Sequence, residues 1–295
     1  MIRCLQIAAL LAVVSSSCAL AEQSDEFLPG REAGVIRSEL VREASGIVAG
    51  RRNPGVLWVH NDSGDTARIY AVSTKGDLLG VCNIQGATLR DWEDIAAGPG
   101  PDPNEHYLYI GDIGDNQAKR PDVTVYRVPE PNVGPEAFGT MTIGPADAVR
   151  LIYPDGPRDA ETLLVDPLTR DLYVISKREL LSKVYLAPYP QSTVEPTRMQ
   201  AVAAMPWGFA VGGDVSPDGS RVIVRGMFGA SIWVRPAGEP LWRAFSGKYS
   251  QLPLIAEPQG EGICFDGGGR GYFTISEMAH PPLHYFGPRT MMTDH

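Results

Sequence analysis

The sequence has few of the residues that define common catalytic and redox sites. It contains four cysteines and five histidines among 295 residues. It has no Gly-x-Ser-x-Gly, His-Glu-x-x-His, Walker or Rossmann glycine pattern. Cys4 and Cys18 fall in a predicted leader, which leaves Cys82 and Cys264. This argues against a cysteine metal site or redox pair, whereas a disulfide and two buried free thiols both stay open.

Positive charge is also scarce, because 26 lysines and arginines face 35 acidic residues, for a net charge of −9. We therefore expect neither nucleic acid nor an anionic membrane as a partner. The apolar run over residues 4–14 is shorter than the ~20 residues of a spanning helix. It predicts a signal peptide over residues 1–21, and hence a secreted or periplasmic protein that is not bound to a membrane after cleavage. A lipoprotein anchored through Cys18 is the alternative.

Turn-forming residues are abundant, with 32 glycines and 25 prolines. Such a composition argues against a helical bundle and favours short strands joined by loops. A repeat of about fifty residues is present, in which each unit opens a strand and continues with a turn and a β-rich run. The units begin at Ser45, Glu93, Glu161, Gly213 and Glu261.

The repeat predicts an all-β fold, a β-propeller with four-stranded antiparallel blades. Five blades are the main interpretation, and six are the alternative because the second unit is long. Fourth strands are expected at 79–84, 148–153, 199–204 and 241–245, and residues 34–40 are expected to close the last blade. The predicted organisation is a signal peptide (1–21), an N-terminal extension (22–33), a single propeller domain (34–288) and a tail (289–295).

Antiparallel pairing places the start of each first strand beside the end of each second strand. Polar side chains from both should therefore meet at one mouth of the propeller. An oxygen-rich set of this kind suits a hard cation such as Ca²⁺. The predicted metal ligands are Asn61, Glu93, Asp112, Glu161 and Glu261. Further ligand-binding residues are expected at Asp62, Trp92, Asp115, Asn116 and Asp214.

Four residues near this mouth are candidates for catalysis. His60 or Glu277 would act as a base, and Lys177 or Arg225 would stabilise negative charge. Structural interpretations remain open for several positions. The carboxylates would instead accept backbone hydrogen bonds, Trp92 would wedge between blades one and two, and His60 would be a packing residue beside Asp62.

Four segments carry a family resemblance: residues 61–65 (NDSGD), 91–96 (DWEDIA), 111–116 (GDIGDN) and 260–263 (GEGI). They resemble a set of secreted bacterial β-propeller proteins that have no assigned activity. The acidic axial layout is also similar to calcium-dependent gluconolactonase, paraoxonase and strictosidine-synthase-like propellers and to phytase-like propellers. That layout implies a metal-dependent hydrolase, although those families typically have six blades.

Two functional hypotheses follow for a monomeric propeller with a small-molecule or extracellular ligand at its mouth. The first is a cation-assisted hydrolase of a small ester, lactone or phosphoester, in which the cation polarises the substrate and activates water. The second is a non-catalytic module that binds a peptide, sugar or partner protein at the same mouth. The absence of a nucleophile motif favours the second hypothesis.

Overall fold

The computed structural model describes residues 21–289. The predicted signal peptide before Ala21 and the C-terminal tail beyond Arg289 lie outside these residues. Within the described range there are 22 strands, β1 to β22 in chain order, and one 3-10 helix. Most of the strands pair in sequence order, which gives antiparallel sheets whose first strand lies innermost.

The sheets are the five blades of a propeller. Blade 1 contains β2 (Ala44–Ala49), β3 (Val56–Asn61), β4 (Arg68–Ser73) and β5 (Leu78–Ile84). Blade 2 contains β6 (Trp92–Pro99), β7 (His106–Asp112), β8 (Val123–Pro129) and β10 (Asp147–Ile152). Blade 3 contains β11 (Ala160–Val165), β12 (Leu172–Ser176), β13 (Lys183–Ala187) and β15 (Gln200–Ala204). Blade 4 contains β16 (Ala210–Val215), β17 (Arg221–Gly226), β18 (Gly229–Val234) and β19 (Tyr249–Leu252). Blade 5 contains β20 (Gly260–Phe265), β21 (Tyr272–Ser276), β22 (Pro282–Phe286) and β1 (Arg31–Val35).

The hydrophobic core is a ring of five layers, each between two neighbouring blades. Every blade packs both faces, which explains why inner strands such as β2 and β11 are buried along their whole length. The inner strands also contact one another around the axis. The predicted all-β propeller with four-stranded antiparallel blades is therefore confirmed.

The ring closes through the N-terminal strand. β1 pairs antiparallel with β22 and supplies the outer strand of blade 5, so the last blade has no missing edge. The strand was expected at residues 34–40 but spans Arg31–Val35. Ile36 continues the pairing with one hydrogen bond from its N–H to Pro281 O and is fully buried, and residues 37–40, in which Leu40 is exposed, lie in the loop before β2.

The long second unit does not hide a sixth blade. Its extra residues form β9 (Gly139–Ile143), which pairs in parallel with β5 on the outer edge of blade 1. A short strand, β14 (Thr197–Arg198), extends blade 2 in the same way. The count is therefore five, and the additional strands cover two outer edges.

One predicted fourth strand was wrong. Residues 241–245 form the 3-10 helix η1 (Leu241–Ser246), and the outer strand of blade 4 is β19. The buried residues of η1 are Leu241, Ala244 and Phe245, a spacing of three and four residues that is helical and not alternating. The other three predicted fourth strands lie within one residue of β5, β10 and β15.

Cys82 and Cys264 are both buried free thiols, which settles the alternative left open by the sequence. Burial raises the pKa of the Cys82 thiol to about 12, so it is an unreactive packing group. Among the described residues, no helix is long and apolar enough to cross a membrane.

Candidate functional site

Each inner strand begins with a β-bulge that faces the axis. In β2, β6, β11 and β16 the pairing register shifts across a single unpaired residue, and β20 has the same irregularity near its start. A bulge turns a side chain out of the regular alternation of a strand. The bulge residues are Ser45, Glu93, Glu161, Val211 and Glu261.

Blade 4 therefore departs from the predicted ring, where Gly213 or Asp214 was expected. Its bulge residue is Val211, and Asp214 lies deeper along the axis, where it is fully enclosed. The Asp214 carboxylate accepts hydrogen bonds from Val215 N at 2.8 Å and Phe265 N at 2.9 Å. It ties blade 4 to blade 5 and is not a ligand-binding residue of the mouth.

Five carboxylates converge at the mouth, and we call them the mouth cluster: Asp62, Asp91, Glu93, Asp159 and Glu161. One oxygen each of Asp62, Asp91 and Glu93 lie within 4.8 Å of one another. The same holds for Glu93, Asp159 and Glu161. Glu93 belongs to both groups, so the cluster contains two adjoining positions at which a cation would find three carboxylates.

Burial and mutual repulsion disfavour the charged form of this cluster. Burial, and then Glu161 and Asp62, hold the pKa of Glu93 well above its ordinary value. The pKa of Asp62 rises to about 7, through burial and then the charge of Asp91. Burial also raises the pKa of Glu161 to about 7, against the opposing effect of Lys177. A bound cation would relieve both the desolvation cost and the repulsion.

Several of these oxygens have free hydrogen-bonding capacity. Glu161 is 5% exposed and its Oε1 pairs with Lys177, yet Oε2 is buried without any partner among the described residues. Oδ1 of Asp62 is also buried and unpartnered in the described chain. Buried polar atoms are normally satisfied by protein or by water, so these two oxygens can accept a further hydrogen bond or a cation. Asp159 differs, because Asp115 N and Arg178 Nε donate to its two oxygens.

Blade 5 contributes a second acidic pair beside the mouth cluster. Burial, followed by Glu277 and Glu161, raises the pKa of Glu261 to about 8. Gln259 Nε2 bridges the pair, since it lies 3.5 Å from Glu261 Oε1 and also donates to Glu277. Burial lowers the pKa of Lys177, but Glu161 and Glu261 outweigh it and leave that pKa raised. Lys177 is therefore a charged donor among carboxylates.

Two predicted metal ligands have structural roles instead. Asn61 Oδ1 accepts from the backbone N–H groups of Arg42 and Glu43, and its Nδ2 donates to Leu40 O and Asp65. The amide thus fixes the loop that leads into β2. Asp112 accepts from Arg120 Nη1 at 2.7 Å, and both side chains are buried.

Three further predicted site residues serve the loops around the mouth. Asp115 Oδ2 accepts from Arg120 N at 2.7 Å, which closes a turn. Asn116 is exposed and accepts a hydrogen bond from Arg178. Arg225 is buried and pairs with Glu257 at 2.5 Å, between blades 4 and 5. It is therefore not a free cation at the mouth.

His60 and Trp92 are core residues. His60 is fully buried, its Nδ1 lies 2.8 Å from Asn61 O, and burial lowers its pKa to about 4. The histidine is enclosed, which favours its interpretation as a packing residue, and the base role that the sequence also allowed stays a prediction. Trp92 is fully buried, donates to Thr88 O and contacts the His60 ring edge to face at 5.8 Å. The wedge interpretation of Trp92 is the correct one.

Asp91 and Asp159 were not among the predicted ligands. Each lies two residues before a bulge glutamate, in Asp91-Trp92-Glu93 and Asp159-Ala160-Glu161. The middle residue begins an inner strand, and the two flanking acids of each pair fall in the same group of converging oxygens. An Asp-x-Glu pattern recurring at the start of two repeats was the signal that could have found them.

The far end of the axis is occupied by protein. Arg51 follows β2, and its Nη2 donates to Val215 O at 3.3 Å across the axis. The same nitrogen lies 3.7 Å from Asp214. The Arg51 side chain thus crosses the axis at the end opposite the acidic mouth.

No protein-family model and no curated protein matches this sequence. Among solved structures, the chain is similar to the WD40 domain of Neurospora crassa Pan2, with 9% sequence identity and a TM-score of 0.47. The similarity covers 92% of this chain and 99% of that one. At this identity and score, no function is transferred from Pan2 to this chain.

Proposed function

We propose that the protein is a Ca²⁺-dependent hydrolase of small esters, lactones or phosphoesters whose site is the mouth cluster. The observation that carries the proposal is the shared carboxylate. Glu93 belongs to two groups of three carboxylates whose oxygens lie within 4.8 Å of one another. Buried oxygens on Glu161 and Asp62 without protein partners support it. Asp159 contributes less to this capacity, because its two oxygens already accept hydrogen bonds from Asp115 N and Arg178 Nε.

Calcium fits this donor set better than other common metals. The cluster offers only carboxylate oxygens, which are hard ligands, and it has no histidine or cysteine. Ca²⁺ takes six to eight oxygens in flexible geometry, whereas Mg²⁺ demands a near-ideal octahedron. The predicted export would place the site where calcium is abundant enough for a weak extracellular site.

The residues around the cluster suggest how hydrolysis would proceed. A bound cation would polarise the substrate oxygen and lower the pKa of a bound water. Glu261, with its pKa raised to about 8, is suited to hold and release a proton near neutral pH. Lys177 donates to Glu161 and is placed to stabilise negative charge on the substrate. Glu277, bridged to Glu261 through Gln259, would position that acid.

A non-catalytic binding module is the second candidate. The burial of His60 favours it, because this removes the one histidine that the sequence placed at the mouth. In that case the same carboxylates would hold a cation that bridges to the ligand, or would receive a cationic group directly.

Thermal unfolding followed by an activity screen tests the proposal. The protein is unfolded in excess Ca²⁺ and in EDTA, and then assayed against an acyl ester, a lactone and a phosphoester. We expect a calcium-dependent rise in Tm and calcium-dependent turnover of one substrate class. A rise in Tm without any turnover would favour the binding module, and the absence of both would refute the cation site.

A further inference from the structure

Three positions around the mouth repeat from blade to blade. The first lies two residues before the bulge, the second is the bulge residue, and the third follows the second strand. One hydrogen bond defines their equivalence, because the third residue donates its N–H to the carbonyl of the first. The bonds are Asp62 to Glu43, Lys177 to Asp159, Met227 to Phe209 and Glu277 to Gln259.

Blade 4 breaks the polar character of this ring. Its three residues are Phe209, Val211 and Met227, whereas the equivalent residues in blades 1, 3 and 5 are polar or charged. Blade 2 supplies Asp91 and Glu93 at the first two positions. Of the five blades in the described chain, only blade 4 is apolar at all three positions. The mouth is thus acidic over most of its circumference and apolar at one sector.

Val211 is buried, whereas Phe209, Met227 and the adjacent Phe228 are exposed to solvent. Phe228, at the tip of the hairpin after Met227, is 88% exposed, and Met227 is 58% exposed. The Phe209 ring meets the Phe228 ring edge to face at 6.3 Å. Phe209 has φ +63°, a left-handed conformation that is unfavourable for an aromatic residue. Strain of this kind is retained where the position of a side chain matters.

The neighbouring hairpin of blade 3 extends this surface. Leu180 is 86% exposed and Leu181 is 53% exposed. The hairpin that carries them begins at Lys177, whose carbonyl accepts a hydrogen bond from Phe209 N at 2.9 Å. We call Leu180, Leu181, Phe209, Met227 and Phe228 the apolar sector. Lys177 joins it to the mouth cluster, since its side chain pairs with Glu161.

We propose that the apolar sector binds the acyl chain of an amphiphilic ester whose polar head lies at the mouth cluster, an inference that rests on the proposed function. Continuity decides the occupant, because one residue, Lys177, links the apolar surface to the acidic one. A ligand that covers both must be polar at one end and apolar at the other. Burial of its chain also removes the exposed side chains of the sector from water.

Hydrolysis of a series of p-nitrophenyl esters, from acetate to decanoate, tests this proposal in Ca²⁺. We expect kcat/KM to rise with chain length by up to about fourfold for each methylene that the sector buries. Phe228→Ser and Leu180→Ser should flatten this rise and leave the acetate rate and the calcium-dependent Tm unchanged. Phe209→Gly removes a ring while it retains the left-handed backbone. Leu168→Ser, at an exposed apolar position on another turn, is the matched control.

Titration with octanoate, in Ca²⁺ and in EDTA, separates failure of this proposal from failure of the proposed function. Octanoate binding that Phe228→Ser abolishes supports the apolar sector even if no ester is hydrolysed. A kcat/KM in the wild type that does not depend on chain length, together with no octanoate binding, would overturn it. Two other outcomes would also overturn the proposal. If Phe228→Ser abolishes sedimentation with phosphatidylcholine vesicles and leaves the ester series unchanged, the apolar sector binds a membrane. If Phe228→Ser abolishes dimerisation and leaves the ester series unchanged, the sector binds a second copy of the chain.

Discussion

Neutralising Glu93 should have opposite effects with and without calcium. In EDTA at pH 8, the charged form of Glu93 is disfavoured by burial and by its neighbours Glu161 and Asp62. Glu93→Gln retains the shape of the side chain and removes that charge. The variant should therefore be more stable than the wild type without calcium. The variant also lacks the one carboxylate that both groups share, so added calcium should raise its stability very little.

The expected magnitudes follow from the geometry. Two charges no more than 4.8 Å apart interact with at least about 3 kcal/mol at an effective dielectric constant of about 20. Partial protonation relieves some of this repulsion, so we expect Glu93→Gln to gain roughly 2 kcal/mol in EDTA. In a chain of this size that is a rise in Tm of about 4 °C. For the wild type, calcium at a hundredfold excess over Kd adds about 2.7 kcal/mol, or about 5 °C.

Differential scanning calorimetry at pH 8 in EDTA and in Ca²⁺ measures both effects. Asp214→Asn is the matched control, because Asp214 is an equally buried axial carboxylate that accepts two backbone N–H bonds. Asp214→Asn should lower the free energy of unfolding by about 1–3 kcal/mol both in EDTA and in Ca²⁺. The rise in stability on adding calcium, which we call the calcium increment, should be the same as in the wild type. A Glu93→Gln variant that is less stable in EDTA, or that retains the calcium increment, would refute the reasoning.

Three further predictions concern the same surroundings. Without calcium, the free energy of unfolding should fall as the pH rises from about 5 to about 8.5. The reason is that the folded state retains protons on Glu161 (pKa about 7) and Glu261 (pKa about 8), whereas the unfolded state releases them near pH 4.5. Urea unfolding midpoints across this pH range measure the fall. Trp92→Ala should lower the free energy of unfolding, measured with denaturant, by about 3–5 kcal/mol. It should leave the calcium increment unchanged, because Trp92 packs in the core and is not a ligand. Glu257→Gln should lower the free energy of unfolding by about 3–5 kcal/mol, because Arg225 would remain buried without its counter-charge. A loss of stability seen only in calcium-bound samples would contradict this structural role of Glu257.

The propeller was predictable because the repeat consists of apolar strand segments that recur at a regular spacing. Inner strands are buried on both faces, so each repeat unit needs a nearly continuous apolar segment at that position. Blade 4 was harder to align, because Val211 replaces the polar residue that occupies the bulge in the other blades, and the sequence therefore predicts Gly213 or Asp214 at that position. The closing strand was found near its true position, because an open blade edge needs a partner.

The predicted site was partly misassigned because sequence position does not reveal which donors surround an oxygen. Asn61 and Asp112 occur at the ends of second strands, as expected, yet local loop groups occupy their polar atoms. Asp159 was missed because it precedes its strand, where sequence spacing is least constrained. The position of Glu93 and Glu161 at the mouth was predictable, since a charged residue recurs at one repeat position, and both side chains are buried there.

The hydrogen-bond partners of the buried carboxylates distinguish structural acids from candidate ligands. Asp94 and Asp214 lie on the axis, and each accepts two backbone N–H bonds, one from the next residue of its own strand and one from the neighbouring inner strand. Their oxygens are committed to closing the ring. Glu161 is as well buried, but one of its oxygens has no donor among the described residues, and Asp62 has the same deficit. The propeller supplies donors for the acids that it uses in packing, as it does for Asp94 and Asp214, whereas these oxygens of Glu161 and Asp62 can still accept water or a cation, and the calcium dependence of the Tm distinguishes the two.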